Sequence, residues 1–301
     1  MTPPDSPDHG SPDSAGGTFV HADDLTLTSR GTPVDATAMA AHQRLWGFWS
    51  ITRWLLMRMR AYRWTIVGTA IGNPVLYLVA MGLGLGALVS ANGQRVDGVP
   101  YIVFVAPALL ISTIVMSAGE EFTYPVMEGF KWSHLYDGPV ATPVSPAQIA
   151  LGHHVAVMIR FLAQSAVFWL IMVAFGAAPS HWSVLTIPIA LLTASSFGAP
   201  LQAYSASIET EKGQFAFVQR FVVMPMSLFA GTYYPLGVMP LWLQWIGWIS
   251  PIWHGTQLAR TASFGLHEPM WLTGVHVLFL VTTAAAGLWM SFRLYRRRLS
   301  R

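Results

Sequence analysis

Few side chains in this 301-residue chain can do chemistry, and their spacing narrows which chemistry that is. Cysteine is absent, which excludes thiolate metal sites and a disulfide scaffold. The 10 histidines invite a metal reading. However, His153 and His154 are adjacent, so on a helix they point ~100° apart. No H-E-x-x-H or comparable carboxylate spacing exists. His254 reads better as a cap near a turn at the membrane interface. Acid–base catalysis lacks an acidic pair within the apolar runs, and acyl transfer lacks a G-x-S-x-G elbow. Nucleotide chemistry lacks a G-x-x-x-x-G-K-[ST] loop, and neither Lys131 nor Lys212 follows a glycine-rich turn. One charge stands apart. Arg160 lies well inside an apolar run, where charges pair or face a cavity. Its candidate partners are Glu120 and Glu121, at the end of another run. A structural ion pair, Arg160 with Glu120, is the expected arrangement, and a contact to a transported molecule is the alternative.

The elements that position these residues follow from composition. The chain is 53% hydrophobic and 10% charged, with a mean hydropathy of +0.46. Soluble domains carry ~25% charged residues, so this is an all-α polytopic membrane protein. Residues 1–43 hold six acids against Arg30 alone and are rich in Pro, Ser, Gly and Thr. They are expected to form a disordered acidic cytoplasmic tail, and they lack the pattern of a signal peptide. Residues 44–63 mix arginines with aromatics and read as a helix lying in the interface. A cytosolic helix packed on the protein is the alternative.

Six spans are expected, at about 65–89, 101–119, 148–175, 184–207, 217–236 and 271–292. Gly68/Gly72 and Gly82/Gly86 have the small-xxx-small spacing of close helix packing. Lysine and arginine concentrate on one side if both termini are cytoplasmic, leaving Arg95 and Arg260 outside. The pI of about 9.3 therefore reflects membrane flanks, not nucleic-acid binding. Phe221–Ala259 contains no charged residue over 39 positions, far beyond the ~20 that one span needs. Two crossings there would turn the arginine-rich C-terminus outward. The segment 237–265 is therefore expected to re-enter from outside, with a short helix carrying Trp242, Trp245 and Trp248. Beyond it the chain should climb back and carry Arg260 to the headgroups.

The connection 120–147 contains an amphipathic stretch and then a turn-rich run with Pro139, Pro143 and Pro146. From periodicity alone it is either a solvated loop or a docking element. Its Leu135, Pro143, Val144, Ser145, Ile149 and Gly152 resemble the "L…PVS…I..G" pattern of type-2 ABC transporter permeases. Phe229, Gly231, Thr232, Tyr233, Tyr234, Pro235, Leu236, Pro240, Pro251, His254 and Arg260 resemble that family's stretch after the fifth span. The likeness runs from about Leu45 to the end and is nearest to the daunorubicin-resistance and nodulation-lipooligosaccharide branch. Asp137-Gly138-Pro139-Val140 departs from the "L..T P" run of many relatives, so the coupling surface is expected to be partner-specific.

The resemblance implies a permease subunit of a bacterial inner-membrane exporter. It would have no catalytic or cofactor site of its own, since ATP and Mg are bound by a separate ABC ATPase. The other expected partners are a second copy or a paralogue, membrane lipid and an amphipathic substrate such as a drug, glycolipid or polysaccharide. The coupling residues would be Glu120, Glu121, Met127, Phe130, Trp132 and Leu135. The substrate path would be lined by Phe104, Phe122, Met224, Met226 and Phe229. An ion-gradient-driven transporter would place carboxylates at mid-membrane and show internal repeats. A membrane enzyme acting on lipid-linked sugar would need an acidic constellation at one face. Neither pattern is visible.

Overall fold

The structure, a computed structural model, describes residues 28–29, 32–33, 35–91 and 95–300. The expected acidic tail lies largely outside these residues. Within the described part of it, Thr28–Ser29 (β1) pairs antiparallel with Thr32–Pro33 (β2). A division after His42 sets this N-terminal part apart from the helical body, Gln43–Arg301.

The body is all-α. In order it runs α1 (Ala36–Met59), α2 (Arg63–Tyr77), a π-helical stretch Leu78–Leu85 and α3 (Gly86–Ala91). Next come α4 (Tyr101–Glu121), α5 (Tyr124–Met127), α6 (Asp137–Val140), α7 (Pro146–Ala174) and α8 (Thr186–Ser207). The remainder is α9 (Gln214–Val218), a π-helical stretch Gln219–Val223, α10 (Met224–Phe229), α11 (Leu241–Trp248), α12 (Pro251–Phe264) and α13 (Met270–Leu299). Among the described residues, 5 helical stretches are long and apolar enough to cross a membrane: Thr37–Val89, Tyr101–Trp132, Pro146–Ala174, His181–Ser207 and Met270–Leu299. The region expected as a fifth span is a shorter apolar helix, Gln214–Phe229. It stops at Phe229, and Gly231 follows at φ +76°.

Local sequence explains where the main helices begin. Ser145 caps α7, its hydroxyl accepting from the Gln148 N–H while the Gln148 side chain accepts from the Ser145 N–H. Pro146 fits the first turn, where no N–H is needed. At α12 the Ser250 hydroxyl accepts from the Ile252 N–H, and Pro251 again takes the first turn.

α4 is the hub. Of its most apolar window 83% is buried, against 22% for Thr37–Val89, so protein rather than lipid surrounds it. α8 and α12 pack on it, and α13 lies along α8. A Cβ on Gly287 would come within 2.4 Å of Pro200, so only glycine permits this approach of α13 to α8. The other expected glycine contacts divide. A Cβ on Gly82 would meet Ile102 at 2.7 Å, whereas Gly68 and Gly72 face open space in the isolated chain. At one end of the bundle, Ile51 and Leu55 of α1 pack with Phe130, Tyr136, Ile149 and Tyr295 in a second core. α1 therefore packs on the protein through one face while Trp46 and Trp49 stay exposed on the other.

Candidate functional site

The connection between α4 and α7 is pinned to the body from three sides. Phe130 lies between the rings of Tyr136 (5.0 Å) and Tyr295 (4.7 Å), with the Arg298 guanidinium 4.1 Å from its centroid. Arg58 of α1 pairs with Glu128 at 2.9 Å. Lys131 donates to the Thr210 hydroxyl at 3.0 Å and to the Glu209 carbonyl at 3.3 Å, tying the segment to the turn after α8. Met127 and Phe130, expected among the coupling residues, are buried and hold the segment to its own chain. Trp132 is exposed, Leu135 half-buried, and an exposed His134–Asp137 pair (3.2 Å) borders them.

A buried hydrogen-bond chain runs inward from this segment. His153 Nε2 faces the Glu121 carbonyl at 3.4 Å, so that nitrogen donates and Nδ1 accepts. The Tyr136 hydroxyl, 3.1 Å from Nδ1, must then donate to it. Tyr295 stands 3.5 Å behind Tyr136 and accepts from the Gln202 amide at 3.4 Å. Gln202 also donates to the Ala150 carbonyl at 2.9 Å, and its Oε1 accepts from His154 Nδ1 at 3.2 Å. His154 Nε2 then accepts from the Ser195 hydroxyl at 2.9 Å. Each contact along it has one donor and one acceptor, so the chain has a single consistent direction, from α8 to the end of α4. Burial first, and Tyr295 second, hold the Tyr136 phenol well above its usual range, keeping it a donor.

The chain ends beside the intramembrane charge. Arg160 binds Glu121, not Glu120. The two carboxylates are adjacent at the end of α4, and Glu121 is the one that pairs with the guanidinium. Beside them lies a cavity of about 380 Å³ with a polar stripe on each wall. α2 contributes Thr65, Thr69 and Asn73, α4 contributes Thr113, Ser117 and Glu120, and α7 contributes Arg160 and Gln164. Spacings of three and four residues put each set on one helix face.

The residues expected to line a substrate path do not come together. Phe104 and Phe122 are fully buried in the main core, Phe104 under the Arg260 guanidinium (3.6 Å) and Phe122 stacked on His154 (5.1 Å). Met224 is exposed and Phe229 half-buried. Met226 instead lines an apolar groove of about 630 Å³ walled by α8, α10, α11 and α13, together with Trp245, Ile246 and Ile249. Arg260 also departs from expectation. It is 2% exposed and donates to the carbonyls of Phe104 (3.2 Å), Gly231 (2.9 Å) and Thr232 (3.3 Å). The end of the helix at α10 leaves the Gly231 and Thr232 carbonyls without helical partners, and the guanidinium fork satisfies them. His254 caps α11, with Nε2 3.0 Å from the Trp248 carbonyl, though it is buried.

A profile of the family described as ABC-2 type transporter matches residues 47–264. The chain belongs to the ABC-2 type transporter family. This permease is similar to the curated nodulation protein J of Rhizobium leguminosarum bv. viciae, at 26% identity over 256 residues, covering 82% of this chain and 95% of that one. It is 27% identical to nodulation protein J of Rhizobium meliloti over 254 residues, covering 82% and 94%. With nodulation protein J of Sinorhizobium fredii it shares 25% over 242 residues, covering 79% and 90%. It is thus an ABC-2 permease subunit, a multi-pass protein of the inner membrane that exports a substrate. Membership implies an ABC ATPase as partner.

The family match spans α1 to α12 and so contains the pinned segment, the polar cavity and the Trp-bearing helix. Sequence reasoning passed over Tyr136, Gln202 and Tyr295 in this permease. One signal was present: Ser195 and Gln202 stand seven residues apart, on one face of an apolar helix. The histidine pair pointed to metal chemistry only to be rejected, while its use as a two-way hydrogen-bond junction was not considered.

Proposed function

We propose that this permease receives its ATPase on the exposed rim around Trp132 and Leu135, and that the stroke travels along the Tyr136–His153 chain to the Arg160–Glu121 cavity. What carries this reading is the pinning of the segment between α4 and α7 to four other elements. A push on its rim is transmitted to α1, α8, α13 and α7 together, not absorbed by a loose loop. The cargo is an amphipathic molecule. The polar cavity between α2, α4 and α7 offers hydrogen bonds to its head, and the groove beside Trp245 offers an apolar wall to its tail.

In this reading the short helix Gln214–Phe229 is the fifth crossing, giving six crossings with both termini cytoplasmic. α11 and α12 form the re-entrant hairpin on the outer side. The uncovered faces of α2, with Gly68 and Gly72, and of α9–α10 meet a second copy or a paralogue. The test is gentle purification with identification of co-purifying proteins by mass spectrometry. An ABC ATPase should accompany the wild type and be lost in Trp132→Asp, whose side chain is exposed, so that folding is spared. Equal recovery with Trp132→Asp and with wild type overturns the docking site.

A further inference from the structure

The elbow between α11 and α12 is held to α13 through two histidines and a carboxylate that the transport reading leaves unused. His254 Nε2 must carry hydrogen, because the Trp248 carbonyl 3.0 Å away only accepts. In neutral His254, Nδ1 is then a bare acceptor. It lies 2.7 Å from His276 Nδ1, so His276 must donate there. The other nitrogen of His276 faces Glu268 Oε2 at 3.4 Å, and neither atom has another hydrogen-bond partner. His276 is fully buried, and the Glu268 side chain is 9% exposed. If His276 were neutral, two lone pairs would face each other at a buried contact, an arrangement that costs free energy on both sides. One added proton removes the conflict. The Gln257 amide donates to Glu268 Oε1, and Arg260 donates to Gln257 at 3.4 Å. Both favour the ionised carboxylate, so the added proton belongs on the imidazole.

The surroundings supply an access route, and His254 is the other base in contact with His276. Glu268 borders a cavity of about 400 Å³ whose other ionisable groups are Asp97, His267 and Arg260. Tyr101 of α4, which donates to the Tyr233 carbonyl, is the remaining titratable group near Arg260. α8 meets α12 through Thr193 at Gly255. The Trp253 ring lies edge-on to His276 at 4.9 Å, and Phe279 stacks on His254 at 4.0 Å.

We propose that Glu268 and His276 form a proton-binding site, and that the bound proton latches the α11–α12 hairpin to α13. Binding forms one N–H bond at His276 Nε2 with a proton from water, and nothing is oxidised or reduced. With the proton bound, donors and acceptors alternate without a gap from Glu268 to Trp248. When it leaves, the pair repels and the hairpin is freed. The latch is therefore closed at low pH and opens as pH rises. Only the side from which the proton arrives, the outside, rests on the topology proposed above.

The test uses the full chain in lipid nanodiscs, where both faces meet the buffer, so the outcome does not depend on orientation. Nitrogen-15 spectra of labelled histidine, assigned by comparison with His276→Gln, should show both ring nitrogens of His276 protonated in an acidic buffer and one in an alkaline buffer. Spin labels on Val238→Cys and Leu278→Cys, both exposed positions, should give a narrow distance distribution at the lower pH that broadens at the higher. Glu268→Gln places an amide N–H against the bare nitrogen, so its distribution should stay narrow at both values. A singly protonated His276 at the lower pH, or the same pH response in wild type and Glu268→Gln, overturns the proposal. The spectrum of the wild type decides even if a variant folds poorly.

Discussion

Tyr136→Phe isolates the hydrogen-bond chain from the packing around it. The ring keeps its contacts with Phe130 and Tyr295, and only the hydroxyl is lost. The 3.1 Å bond to His153 disappears, leaving Nδ1 a buried acceptor without a donor. Such an orphan costs about 1–3 kcal/mol. The 3.5 Å contact to Tyr295 is too long to add much. A loss of about 2 kcal/mol is therefore expected, large beside the ~0.5 kcal/mol of a surface change. Tyr124→Phe, at a 42% exposed ring, is the control for that surface change. Adding His153→Leu should recover part of the loss, since removing both partners costs less than stranding one. Stability would be read by denaturation in detergent, and coupling by the turnover of the ATPase assembled with each variant. Burial raises the phenol, so its contribution is full below the ordinary phenol pKa and declines as pH rises past it. Tyr136→Phe should lack that alkaline decline. If Tyr136→Phe and Tyr124→Phe match in both stability and ATPase turnover, the chain transmits nothing and this reasoning fails.

The other expectations concern charge, topology and the aromatic helix. Arg160→Gln strands the largely buried Glu121 carboxylate and should destabilise by about 3 kcal/mol, whereas Arg160→Met with Glu121→Leu should recover most of it; unfolding midpoints decide. In this cysteine-free chain, Ser180→Cys should label with an impermeant reagent from outside, and Gly138→Cys and Ser300→Cys should not; outside labelling at 300 removes the six-crossing arrangement. Trp242→Ser with Trp245→Ser should reduce export in vesicles while ATPase binding holds, because both rings are exposed and carry little of the fold. Equal loss of export and assembly would assign them a structural role.

How much was legible depended on how local the cause was. The start of α7 was readable because Ser145, Pro146 and Gln148 are a self-contained cap. A short helix carrying Trp242, Trp245 and Trp248 was expected, and α11 runs from Leu241 to Trp248, since Pro240 and Pro251 bracket it in sequence. The partner of Arg160 was off by one residue, because the choice between Glu120 and Glu121 is a choice of helix phase, ~100° per residue. Arg260 was misplaced for a deeper reason. Two of its acceptors are carbonyls that the end of a helix about 28 residues earlier leaves open, and no side-chain pattern announces a bare carbonyl. Phe104 and Phe122 had the right polarity for a path, but apolarity does not distinguish a wall from a core.

The burial of α4 has a consequence for how the protein is made. The helix most sheltered from lipid is also the most apolar of the five long ones. On leaving the translocation channel it has α2, the π-helical stretch Leu78–Leu85 and α3 beside it, so it must first dissolve in the bilayer as an ordinary span. Its permanent neighbours α8 and α12 are synthesised later and have to displace lipid from it. A nascent chain halted before α8 would hold its future hub in the acyl chains. Assembly of this permease is thus a wrapping reaction, completed from the C-terminal side, and truncated products should be the preferred prey of membrane proteases.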